Sequence, residues 1–175
     1  MTDAIADRAP PTAHQRLPDT LLAAASAVLA MVAIVAVLRG RAHWDEVPPL
    51  VWVHLVSTVV ATTLTPVMLI RAKGNRGHRV RGYAWVAAML LTAMTSLFFN
   101  TRVPGGWGVF SGDFSPIHLL SVIVLIMVPR VVIYARAHNR RAHERTVRGI
   151  VVGALLIAGF FTFPFDRMLG SWLFG

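Results

Sequence analysis

The stretch R-A-K-G-N-R-G-H-R-V-R-G, residues 71–82, carries Arg71, Lys73, Arg76, Arg79 and Arg81 with no acid among them. Apolar runs long enough to cross a bilayer flank it, residues 50–70 before and 82–99 after. Connections rich in Lys and Arg are retained on the cytoplasmic side of a membrane. This block therefore assigns a side to every other connection, and the fold class expected is an all-α integral membrane protein.

Composition agrees. Of 175 residues, 55% are hydrophobic and only 14% charged, which departs from soluble domains toward membrane proteins. The net charge of +9 could suggest nucleic acid as a partner. However, the first basic block and a second one holding Arg130, Arg136, Arg140, Arg141, Arg145 and Arg148 account for eleven of the seventeen Lys and Arg. Cations concentrated between apolar runs are orientation signals and contacts for anionic lipid, so no nucleic-acid partner is expected. The absence of cysteine excludes disulfides and thiolate chemistry.

Taken in order, residues 1–20 are polar and proline-containing and read as a disordered cytoplasmic tail. A single transmembrane domain, 21–175, follows. Its five spans are expected at about 21–38, 50–70, 82–99, 116–135 and 149–173, each near the roughly 20 apolar residues that cross the hydrocarbon. The amino terminus is then inside and the carboxyl terminus outside. The first span has no polar face and should pack at the periphery, leaving helices two to five as a four-helix core.

The second span carries His54, Thr58, Ala61, Thr62 and Thr65 on one face, and the third carries Trp85, Met89, Thr92 and Ser96. Such stripes let membrane helices approach closely and hydrogen-bond. Pro66 should kink the second span, and Gly149 and Gly153 form a G-x-x-x-G packing contact. Residues 100–115, rich in glycine and aromatics, read as an outer loop, and Asp113 within it as a turn residue.

The topology places one histidine on each core helix. His54 and His118 fall near the outer ends of the second and fourth spans, His78 and His143 near the inner ends of the third and fifth. Imidazole is a common axial ligand of haem iron, and helix bundles build such sites from facing helices. The expectation is a b-type cytochrome-like electron carrier with up to two bis-His haems. Iron ligation by His54 and His118 is the sharper form of it, with His78 and His143 as a second pair. Arg79, Arg81, Arg130 and Arg141 would neutralise propionates, or contact lipid if no haem b binds, and a quinone or a membrane protein would be the redox partner. The plainer alternative takes the outer imidazoles as interhelical hydrogen-bond partners and the inner ones as solvated, like His14, His43 and His138. The chain would then be a non-catalytic accessory or scaffold subunit of a larger membrane complex. A proton-coupled transporter is disfavoured, because no Asp or Glu lies deep within a span.

Several segments together resemble a known family: K-G-N-R-G-H-R-V-R-G (73–82), F-S-P-I-H-L-L-S (114–121), A-H-E-R-T-V-R-G (142–149), G-A-L-L-I-A-G-F-F-T-F (153–163) and D-R-M-L-G-S-W-L-F-G (166–175). They are similar to the bacterial "predicted membrane protein" family, domain of unknown function 2306, over roughly residues 53–175. One departure is at 145–148, where R-T-V-R replaces an expected methionine after the histidine. The resemblance implies a multi-pass protein of the bacterial cytoplasmic membrane and supplies no reaction. The helix-by-helix order of histidines is also similar, in pattern alone, to the cytochrome b-561 superfamily, whose alternate helices clamp one haem near each membrane face.

Overall fold

The computed structural model describes residues 19–99, 116–164 and 167–175. Nearly all of the expected tail, the loop at 100–115 with Asp113, and Asp166 lie outside them. Helix α1 (Asp19–Arg39) runs into a 3-10 turn (Gly40–Glu46), followed by α2 (Pro49–Ile70), α3 (Arg76–Ser96) and α4 (Pro116–Arg136). Helix α5 (Arg140–Ile150) continues through a π-helical segment (Val151–Ile157) into α6 (Ala158–Phe160), and α7 (Met168–Phe174) is separate. Three helices, Asp19–Glu46 with its 3-10 end, Pro49–Ile70 and Ile117–Arg136, are long and apolar enough to cross a membrane.

The helix starts follow from local chemistry. Asp19 puts a negative charge on the positive end of α1, and Arg39 a positive one at the other end. Pro49 opens α2, where its missing N–H is not needed. The helix continues past Pro66 to Ile70. At both basic connections a residue of positive φ, Gly74 (85°) or His138 (53°), turns the chain. An asparagine then caps the next helix. Asn75 Oδ1 accepts from His78 N at 2.7 Å, and Asn139 Oδ1 accepts from Ala142 N at 3.0 Å. The basic blocks are thus largely helical, and the turns proper are only a few residues long. Arg and Lys are good helix formers, and a capped start lets them extend the following helix.

The last span differs from expectation in the same way. Residues 149–173 are not one helix. Helical structure begins at Arg140, ends at Phe160, and resumes at Met168. Phe163 and Pro164 lie in the break, and a proline disfavours helical backbone in the residue before it. Helix α7 folds back on α1 and on the 3-10 turn, where the Trp172 indole covers Gly40 so closely that no side chain fits there.

Consecutive helices pack on one another, and the π segment returns to α1, closing a ring. The main core, Ala61, Trp85, Met89, Ala93, Val124, Val128, Val151 and Leu155 among others, draws on α2 to α5 and the π segment. Helix α1 contributes instead to two smaller clusters, around Leu22 and Ala23 with Leu69, and around Ala36 with Leu55 and Leu169. Between apolar helices in lipid there is little hydrophobic drive, so close packing and hydrogen bonds hold the bundle. Trp85 Nε1 donates to Thr65 Oγ1 at 3.0 Å in the middle of that core.

Glycines that admit a close neighbour include Gly40, Gly77 (against Arg81), Gly159 (against Leu29) and Gly170 (against the Phe163 carbonyl). Gly149 and Gly153 are not among them. Nothing lies within 4 Å of a side chain built at either, so the expected G-x-x-x-G contact is not made among the described residues.

Candidate functional site

His54, on α2, faces α3. Its Nδ1 lies 3.1 Å from the Thr92 carbonyl oxygen and 3.1 Å from Thr95 Oγ1. The Thr95 hydroxyl donates to the Leu91 or Thr92 carbonyl (2.8 and 3.0 Å), and a carbonyl oxygen only accepts. Nδ1 therefore carries the proton, and Nε2 keeps its lone pair. The His54 carbonyl is covered as well: Ser57 Oγ donates to it at 2.9 Å and Thr58 Oγ1 at 2.7 Å. Both hydroxyls also meet Thr92 Oγ1, at 2.8 and 3.3 Å. Phe99 closes over the imidazole edge-on, ring centres 4.9 Å apart. Hydroxyls bonded to the preceding turn or to a neighbouring helix satisfy polar groups where water is scarce.

His118 lies on α4 and is 4% exposed. Ser121, one turn further on, donates to the Ile117 carbonyl at 2.8 Å and pairs with Ser96 on α3. Ser96 directly follows Thr95, the partner of His54. Helices α2 and α4 thus reach neighbouring residues of α3, His54 at Thr95 and Ser121 at Ser96, with His118 one turn nearer the start of α4. Those two helices have no packed interface of their own among the described residues.

His78 and His143 stand at the basic end. His143 Nδ1 is 3.0 Å from the Val131 carbonyl, which again places the proton on Nδ1. His78 precedes the apolar part of α3 and lies near His143, Lys73 and Arg81. Burial first, then repulsion from those three, pushes its imidazole below the ordinary histidine value. The nearby acids are engaged. Asp19 Oδ2 is 2.8 Å from Lys73 Nζ and Oδ1 2.8 Å from Arg148 Nη2. Glu144 Oε1 is 2.8 Å from Arg140 Nε and 4.0 Å from Lys73 Nζ.

Of the four arginines expected at lipid or propionates, Arg79, Arg130 and Arg141 are exposed. Arg130 Nη1 sits 3.9 Å from Met127 Sδ. Arg81 is half-buried, and its Nε has no hydrogen-bond partner.

The structure also exposes a signal in the sequence that periodicity does not reveal. His54-x-x-Ser57 and His118-x-x-Ser121 begin two helical hairpins, and the same 21-residue step leads from each first histidine to the capping asparagine, Asn75 or Asn139. His78 and His143 follow those caps. Ser57 and Ser121 both reach α3, one at Thr92 and the other at Ser96. The repeat is one of sequence spacing: Ser57 meets the second helix of its own hairpin, whereas Ser121 meets α3 of the other one. Thr92 lies on the stripe expected of the third span, whereas Thr95 is the site residue with no sequence signal, because only the packing of α2 on α3 brings it to His54.

Two concavities lie at the periphery of the bundle. A groove of about 530 Å³ between α2 and α3 is lined by Trp52, Val56, Ser57, Val60, Ala88 and Leu91. A cleft of about 600 Å³ between the 3-10 turn and α7 is lined by His43, Glu46, Pro48, Ser171 and Trp172. Among the described residues no three His, Asp or Glu side chains converge as a metal cage.

No curated protein and no solved structure matches the chain. Residues 51–166, from the third residue of α2 to beyond α6, match the family described as predicted membrane protein (DUF2306), and the chain belongs to that family.

Proposed function

We propose that the protein is a b-type cytochrome-like electron carrier of the bacterial cytoplasmic membrane, with one bis-His haem held by His54 and His118. In this reading α1, α2, α3, α4 and the α5–α6 rod are five spans, with the amino terminus and both basic connections on the cytoplasmic side. The observation that carries it is the His54 hydrogen bond. Ligating histidines characteristically donate the other ring N–H to a carbonyl, which fixes the tautomer and aims the free nitrogen at the metal. Thr92 and Thr95 do this for His54, and His118 is buried on α4, one turn before the serine that meets α3 beside Thr95.

Imidazole nitrogens are the donors that a b-type haem takes. A bound haem b supplies reversible one-electron chemistry. The protein's part is to orient the His54 ring, keep water from it with Phe99, and leave no competing polar group in the surrounding hydroxyl layer. A quinone or a membrane protein is the partner for electrons. His78 and His143, hemmed by Lys73 and Arg81, stand in a cationic rather than an apolar setting.

A reduced-minus-oxidised visible spectrum of the purified protein tests the proposal. Absorption bands of a six-coordinate b-type haem are expected, lost in His54→Leu and His118→Leu variants. A folded, colourless, iron-free protein overturns it.

The second reading, an accessory or scaffold subunit, is favoured by the location of the concavities. Both lie outside the bundle, whose core is filled by Trp85, Met89 and Val128. Co-purification with a stoichiometric membrane partner and no cofactor supports it.

A further inference from the structure

We propose that the basic end of the bundle is a binding site for a phosphate group, gripped by Arg81 and Lys73 with His78 and His143 beside them. This site is separate from the His54–His118 pair and does not depend on what that pair binds.

The first observation is Arg81. Its Nε is shielded from solvent and has no acceptor among the described residues. A buried donor of a charged group left unpaired forfeits its hydration without compensation, so such a group calls for a partner. The guanidinium lies back over the first turn of α3, with Nη2 and Nη1 only 3.1 and 3.3 Å from where a side chain at Gly77 would begin. The missing side chain at Gly77 is what makes room for it.

The second observation is the charge balance. Asp19 is shared by Lys73 and Arg148, and Glu144 is taken by Arg140. Among the described residues no carboxylate pairs with Arg81. Lys73 has three donors, of which Asp19 uses one at 2.8 Å, while Glu144 stands at 4.0 Å. The remaining members are two half-buried imidazoles from α3 and α5. His143 has its Nδ1 committed to Val131, so Nε2 is the atom left to meet a ligand.

A cluster of guanidinium, ammonium and imidazole that holds more cations than Asp19 and Glu144 balance suits a tetrahedral oxyanion. Phosphate is the best match, because its oxygens accept the planar fork of an arginine and the point charge of a lysine together. In the five-span reading the site lies at headgroup depth, so the phosphate can come from a lipid diester or from free phosphate in the cytoplasm.

The full chain in detergent, titrated with inorganic phosphate and separately with short-chain phosphatidylglycerol below its micellar concentration, tests the site by thermal shift and native mass spectrometry. Wild type should bind at least one probe. Binding of the lipid alone identifies a headgroup site, and equal binding of inorganic phosphate a free-phosphate site. Arg81→Gln should weaken binding roughly tenfold or more, the loss expected for one charge-assisted pair. Arg145→Gln, an exposed cation on α5, should leave it unchanged. Should Arg81→Gln fail to fold, Gly77→Leu keeps the charge and displaces the guanidinium, and should weaken binding several-fold. The proposal is overturned if neither probe binds, if the folded Arg81 or Gly77 variant binds like wild type, or if Arg145→Gln loses as much as Arg81→Gln.

Discussion

Asp19 and Arg148, 129 residues apart in sequence, meet with Oδ1 2.8 Å from Nη2, while the other Asp19 oxygen holds Lys73 Nζ at 2.8 Å. One carboxylate at the start of α1 thereby joins both basic connections. Helix α1 precedes the segment shared with the family, so Asp19 is the polar tie between that segment and the helix outside it.

Asp19→Asn should therefore loosen α1 without dissolving the core. The three side chains are partly exposed, so the loss should be about 1–2 kcal/mol, at the low end for charge-assisted bonds. It would be read as a lower thermal midpoint in detergent. An unchanged midpoint would show that the tie contributes nothing.

Trp85 and Thr65 supply a second prediction. Thr65→Val keeps the shape and removes the acceptor of the buried indole N–H. Interhelical hydrogen bonds in membranes are worth roughly 0.5–2 kcal/mol, and a loss of that size is expected on chemical unfolding. A stability equal to wild type would mean that the indole finds another acceptor.

Nitrogen NMR of the protein labelled at histidine tests the geometry around His54 directly. The Nδ1–H tautomer is expected, because Nδ1 faces the Thr92 carbonyl. An Nε2–H signal would remove the main support for a ligating role.

Glu144 makes a pH prediction. The hydrogen bond from Arg140, with help from Lys73 and Arg148, holds its carboxyl below the ordinary glutamate range despite partial burial. A carboxyl lowered on folding stabilises at pH above its unfolded value, and the contribution is lost as pH falls through the folded value. The midpoint should therefore drop on acidification below about pH 5, and Glu144→Gln should flatten part of that slope. A variant with the wild-type slope would assign the acid sensitivity to other groups.

Gly40 gives a test of the far end. Trp172 lies so close over it that Gly40→Leu must dislodge α7. Overpacking of this kind costs about 1–3 kcal/mol, and protease access to the carboxyl-terminal segment should rise. Unaltered proteolysis would mean that α7 is not seated there.

The sequence by itself determined the class of the molecule: apolar runs of bilayer length, two arginine-rich connections, and one histidine on each core helix. It determined the helix bodies as well, since residues 21–38, 50–70 and 116–135 nearly coincide with α1, α2 and α4. These features are legible because length, hydropathy and charge are local properties of a chain. What the basic blocks do was not legible. They read as loops, yet asparagine caps turn most of them into the first turns of α3 and α5. Nor did periodicity foretell the break after Phe160, the open surroundings of Gly149 and Gly153, or the pairing of Asp19 with residues 73 and 148. Only tertiary packing decided that Thr92 and Thr95 set the tautomer of His54 and that Arg81 pairs with no acid among the described residues. A side chain's partner depends on which helix lies beside it and at what height, and that is a property of the assembled bundle rather than of any one span.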